Sequence, residues 1–197
     1  MFTGIVQEIG IVKTIKKRSS LREISVHAPE SSRCLKKGDS VSVDGVCLTV
    51  IARTGEIFTV EVIQETLKKT TIGLWHPHQK INLELPLKFG DKISGHFVTG
   101  HVDAKGLIVK IKKQDKNHIL TMRIPKNLKK FIVKNGSITI NGVSLTIANV
   151  TTKNFGIHLI PFTEKNTNLG SVKEKDYVNI EIDILARYKY TKKYLKI

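Results

Sequence analysis

The sequence predicts an all-β protein: two similar six-stranded Greek-key barrels in tandem, followed by a short C-terminal helix. Three observations carry this. The chain contains itself twice, since Lys37–Pro86 and Lys134–Asp183 align without a gap at an offset of 97, with 15 of 50 positions identical. Within each copy, short runs such as Val41-Ser42-Val43 alternate apolar and polar with the period of a strand. Turn dipeptides separate the runs, Asp44-Gly45 in the first copy and Asn141-Gly142 in the second. A repeat this long is a domain, far above the roughly 20–50 residues of a solenoid unit or propeller blade.

The elements follow in order. Thr3-Gly4-Ile5-Val6 opens the chain and returns at an offset of 96 as Thr99-Gly100-His101-Val102; Gly10 returns as Gly106. Pro29–Leu35 and Pro125–Phe131 each predict one helical turn, with proline near the start, where its missing N–H is harmless. Val41–Val43, Cys47–Ile51, Phe58–Val62 and Asn82–Leu85 read as strands, with a turn at Thr54-Gly55. The second half repeats them with apolar swaps such as Val50 to Ile147. About six short strands per half close best as a barrel, which leaves no free edge. The expected units are 1–96, 97–184 and a tail, 185–197, without a counterpart in the first half. In the tail, Leu185, Tyr188, Lys192 and Leu195 fall on one helical face, to pack on a barrel or partner; a frayed basic terminus is the alternative.

The net charge of +16 raises nucleic acid as a partner, but the cations are mostly scattered lysines without an aromatic ladder, so no nucleic acid is expected. No apolar run approaches a membrane span, and Met1-Phe2-Thr3-Gly4 lacks the basic start and apolar run expected of a signal peptide. Cys34 and Cys47 have neither pairing nor metal-ligand spacing, so a reduced, cytoplasmic protein is expected.

Each half carries one constellation after its Gly turn: Cys47, Leu48 and Thr49 in the first, Ser144, Leu145 and Thr146 in the second. Alternation puts Cys47 and Thr49 on one face, as it does Ser144 and Thr146. Such a pair is either a solvent-facing accident or a binding face, and its recurrence favours the face. The copies also differ: Cys47 becomes Ser144, Ile5 becomes His101, Glu61 becomes His158 and Pro86 becomes Asp183. The frame would bind one shape twice while the differences divide the labour. His96, His101 and Asp103 as metal ligands have no recognised zinc spacing. No phosphate loop, Rossmann fingerprint or nucleophile elbow is present.

These residues resemble riboflavin synthase of the type built from two lumazine-binding repeats. Met1–Val6, Asp44–Thr49, Gly95–Val102, Asn141–Thr146 and Asn179–Asp183 carry the resemblance, which runs from Met1 to about Asp183. It implies a transferase of riboflavin biosynthesis in which two 6,7-dimethyl-8-ribityllumazine molecules exchange a four-carbon unit, without cofactor or metal. It also implies a homotrimer that pairs one substrate from an N-terminal barrel with one from another subunit's C-terminal barrel, and lumazine synthase as a partner. Gly4, Ile5, Val6, Cys47, Leu48 and Thr49 would line a first pocket, with Glu61, Val62, Ile63, Gln64, Glu65 and Thr66. Gly100, His101, Val102, Lys134, Ser144, Leu145 and Thr146 would line a second, with Leu159, Ile160, Pro161, Phe162 and Thr163. The catalytic set would be His101 for acid–base work or positioning, Ser144, Thr146 and Asp183 to orient substrate and activate water, and Cys47 with Thr49 beside the first ring. Phe162 departs from the polar residue common in the family, and the tail is shorter than the usual trimer-forming helix. A non-catalytic lumazine or flavin carrier on the same repeats is the alternative reading.

Overall fold

A computed structural model of the chain describes residues 1–114 and 117–191. The first barrel comprises β1 (Glu8–Lys17), β2 (Leu21–His27), β3 (Ser40–Val43), β4 (Val46–Thr54), β5 (Ile57–Ile63) and β6 (Lys80–Glu84). They close in the order β1-β2-β5-β4-β3-β6. The second comprises β7 (Ala104–Gln114), β8 (Asn117–Arg123), β9 (Ser137–Ile140), β10 (Val143–Val150), β11 (Asn154–Leu159) and β12 (Tyr177–Ile182), which close in the equivalent order. All pairings are antiparallel.

The duplication reaches fine detail. Register shifts at Val12/Thr14 and Val50/Ala52 recur at Ile108/Lys110 and Ile147/Asn149, so each barrel bends at matched bulges. Alternation sends one face of every strand inward. Val26, Val60 and Phe58 are fully buried in the first core, and Ile108, Ile157 and Phe155 in the second. Helix α1 (Pro29–Cys34) and a 3-10 turn at Lys126–Phe131 occupy the two segments expected to be helical. Two further short helices, not expected from the sequence, follow the β5 and β11 strands: α2 (Gln64–Lys69) and α3 (Pro161–Asn166). Each stops at a threonine that folds its hydroxyl back on the helix, Thr70 Oγ1 to Thr66 O at 2.7 Å and Thr167 Oγ1 to Thr163 O at 2.7 Å.

The barrels meet at their hairpin turns. Asp44 and Gly45 both have positive φ, as do Asn141 and Gly142, the type I′ geometry. A Cβ on Gly45 would sit 2.7 Å from Gly142 N, so only glycine lets the turns touch. Around them lies a buried amide network: Asn82 Nδ2 donates to Asn141 O at 2.9 Å, Asn179 Nδ2 to Asp44 O at 2.9 Å, and Asn168 Nδ2 to Asp44 Oδ1 at 2.8 Å.

Asp44 is the charged member of this junction, and burial pushes its carboxyl up to about 7 against the hydrogen bonds from Asn82 and Asn168. A folded value above the unfolded one means that the folded protein holds the extra proton between about pH 4 and 7. Stability from this site is therefore complete at low pH and is lost as pH rises through about 7. The equivalent Asn141 shows that an amide fits the same position, accepting from Asn179 N at 2.8 Å. Asp44→Asn is expected to raise unfolding free energy at pH 8 by roughly 2–4 kcal/mol and to leave much less difference at pH 4. Urea unfolding at both pH values checks this, and equal curves at pH 8 would contradict it.

After β12 the chain forms helix α4 (Ile184–Thr191). Asp183 starts it, its Oδ1 accepting from Leu185 N at 2.9 Å. The expected packing face is not sealed, because Leu185 and Tyr188 are about two-thirds exposed. Lys192 and Leu195 lie outside the described residues. Among the described residues, no helix is long and apolar enough to cross a membrane.

Candidate active site

Two Thr-Gly segments cross between the barrels. Phe2 and Val98 pair as an isolated antiparallel bridge, with Phe2 N donating to Val98 O at 2.8 Å and Val98 N to Phe2 O at 3.1 Å. Beyond the bridge, Ser144 N of the second barrel donates to Gly4 O at 2.7 Å, and Cys47 N of the first donates to Gly100 O at 2.9 Å. Val6 packs on the second core and Val102 belongs to the first. The grouping expected from the sequence is thus exchanged. Gly4 and Val6 go with Ser144, whereas Gly100, His101 and Val102 go with Cys47.

Both segments are pinned by a buried glutamate at the end of a barrel strand. Glu84 accepts from Thr3 N at 2.6 Å, Thr3 Oγ1 at 2.8 Å and Gly4 N at 3.0 Å. Glu181 accepts from Thr99 N at 2.7 Å, Thr99 Oγ1 at 2.6 Å and Gly100 N at 3.0 Å. Burial raises both carboxyls, and these hydrogen bonds oppose the rise. The two glycines have φ of +79°, and a Cβ on Gly100 would lie 2.5 Å from the Cys47 Cβ.

A cavity of about 270 Å3 opens on the first barrel. Cys47, Ile63, Glu65 and Thr66 form one wall, and Gly100, His101 and Val102 the other. Lys69, which sequence reasoning passed over, reaches the same space. The lining is rich in groups that can donate, accept or carry charge. Thr49 and Glu61 are exposed on strand faces next to this wall, and Gln64 is exposed at the start of α2. Val62 and Leu48 point into the barrel, as Leu159 does in the second, so these three offer a ligand only their backbone.

On the second barrel, Ser144 is joined by a residue absent from the expected set. His96 Nδ1 lies 2.7 Å from Ser144 Oγ, and its Nε2 lies 3.1 Å from Thr139 Oγ1. Ser144 and Thr139 are register partners across β10 and β9, so one imidazole spans both hydroxyls. Burial lowers the His96 pKa, with the Asp183 charge partly opposing, which favours the neutral ring. In the tautomer that carries its proton on Nε2, the Ser144 hydroxyl donates a hydrogen bond to Nδ1, which raises the electron density on its oxygen. Gly95 makes room, since a Cβ there would meet Thr3 O and Ser144. Nearby stand Thr146 and Lys134, both exposed, with Leu145 partly buried against the core. Pro161 and Thr163 sit in α3, and Ile5, Ile160 and Phe162 are exposed apolar side chains, Phe162 by 74%. Asp183 caps α4 with one oxygen while its charge acts on His96.

Comparison with known proteins fits this duplicated geometry. The lumazine binding domain family matches twice, over residues 3–86 and 99–183. Riboflavin synthase of Brucella abortus is 41% identical over 95% of this chain and 96% of its own, and that of Actinobacillus pleuropneumoniae is 36% identical over 95% and 87%. Among solved structures, LumP complexed with 6,7-dimethyl-8-(1'-D-ribityl) lumazine superposes with a TM-score of 0.84 at 27% identity, covering 92% of this chain and 99% of LumP. With two matched domains and 36–41% identity to these enzymes over nearly its full length, the chain belongs to the riboflavin synthase family, transferase enzymes on a duplicated lumazine-binding fold.

Proposed function

We propose that the protein catalyses the dismutation of two 6,7-dimethyl-8-ribityllumazine molecules to riboflavin and 5-amino-6-ribitylamino-2,4(1H,3H)-pyrimidinedione. The observation that carries this reading is the exchanged pair of sites, two equivalent frames with different side chains. One reactant taken twice, once as four-carbon donor and once as acceptor, calls for that combination. The exchange is redox-neutral, so the two products together contain the atoms of the two substrates. A proton leaves the C7 methyl of one molecule, and the ring delocalises the resulting charge. Bond formation to the partner ring then transfers C6, C7 and their methyl groups. His101 lines the first cavity beside Cys47 and serves as proton-transfer or positioning group there. Ser144, with His96 behind it, serves in the second. Thr49, Thr146 and Lys134 flank the rings, and Asp183 acts on the second site through His96. Holding both rings face to face supplies much of the rate. The exposed apolar rims at Ile63 and Phe162 favour closure by another copy, consistent with a homotrimer.

The test mixes the pure protein with the lumazine alone and follows riboflavin absorbance. One riboflavin is expected for every two lumazines consumed. Binding without conversion would instead identify a carrier, a reading that the likeness to LumP keeps in play.

A further inference from the structure

The first cavity continues past His101 into a second, of about 240 Å3, walled on its far side by helix α4. The two share Lys69 and His101, so the imidazole stands at their junction. Asp103, two residues on from His101, lies against that helix. Its Oδ1 accepts from Arg187 Nη2 at 2.7 Å, and its Oδ2 accepts from Ile182 N at 3.0 Å.

The repeat separates these two contacts. In the first half, Gln7 stands where Asp103 stands, and Leu85 where Ile182 stands. Gln7 Oε1 accepts from Leu85 N at 2.8 Å, and Gln7 N donates to Leu83 O at 2.9 Å, matching Asp103 N to Ile180 O at 2.8 Å. An amide therefore suffices to hold the crossing segment onto its strand. The second carboxylate oxygen answers to α4, which the first half lacks. The Asp103 side chain is 9% exposed and that of Arg187 44%, so solvent reaches the pair from the arginine side and screens it in part; its short, charge-assisted geometry fixes direction more than it adds stability. The half with the added helix is also the half in which Ile5 has become His101, and the equivalent first-half cavity is closed by residues 85–94 instead.

We infer that Asp103 and Arg187 are a positioning pair through which helix α4 sets His101 in the first substrate pocket. Neither touches the reacting atoms; together they fix the Gly100–Asp103 backbone from the side away from Cys47. This rests on the proposed reading of that pocket as a substrate site. It makes the C-terminal helix part of the site's machinery as well as a terminus.

The test uses Asp103→Asn, Arg187→Gln, Arg187→Lys and the double variant of the first two, in the full chain. Each of the first two is expected to lower kcat roughly tenfold to a hundredfold, with KM within about twofold. The double variant should be no slower than the worse single one, and Arg187→Lys should recover part of the loss. Asp103→Gln, which restores the amide used at Gln7, should melt like wild type and be equally slow, separating this role from folding. Wild-type kcat in both single variants, or losses that multiply in the double, would overturn the inference. A separate readout is the His101 Hε1 resonance in the ligand-free protein, expected to move in Arg187→Gln. If wild type binds the lumazine but does not convert it, the proposed reaction fails, and an unmoved resonance would then reject the positioning pair on its own.

Discussion

Gly100→Ala is expected to destabilise the protein by roughly 2–5 kcal/mol and to abolish lumazine binding in the first cavity. Two penalties combine. The residue holds φ at +79°, where an L side chain is strained, and the new methyl would lie 2.8 Å from Cys47 N and 2.5 Å from its Cβ. Backbone cannot move aside as a flexible side chain would, because Cys47 N is donating to Gly100 O in the same contact. The control is Gly38→Ala, where φ is also positive at +93° but nothing lies within 4 Å of the added carbon. That variant should show the conformational cost alone, about 1 kcal/mol. Urea unfolding with fluorescence titration decides it, and a Gly100→Ala protein that unfolds and binds like Gly38→Ala would refute the crossed-strand architecture of the site.

His101→Gln and Ser144→Ala are each expected to lower kcat about a hundredfold while changing lumazine affinity severalfold at most. His101 is exposed in the ligand-free chain, and its backbone N–H donates to Thr99 Oγ1 at 3.2 Å. Its ring is thus available to a ligand. Ser144→Ala removes the hydroxyl facing His96 Nδ1 and leaves the half-buried imidazole with Thr139 as its remaining partner. Single-turnover measurements of riboflavin formation, with binding followed by lumazine fluorescence, separate the two effects. Unchanged turnover in both would remove these residues from the chemistry.

Much of the fold was legible because the signals that specify it are local and occur twice. Asp44-Gly45 and Asn141-Gly142 demanded hairpins, and the alternation of Phe58–Val62 set which side chains face the core. The exchange of the Thr-Gly segments was not legible. It rests on backbone bonds between positions such as Gly4 and Ser144, and any residue has an N–H and a C=O. One trace did exist: Glu84 and Glu181 are identical, buried and at strand ends, and a carboxylate there needs donors that its own strand cannot supply. His96 was passed over for a related reason. Its equivalent in the first half would precede Met1, so comparing the copies could not flag it. Lys69 was hidden because Asn166 stands at its place in the second copy, and only the helical turn of α2 aims it at His101's cavity.

The crossed segments bear on how such a protein can change. Each chamber takes one wall from either half, Cys47 facing Gly100 and Ser144 facing Gly4. Severing the halves would therefore dismantle both chambers, whereas a substitution in one wall can retune a single chamber. Duplication here produced two halves that must stay joined while their two chambers specialise.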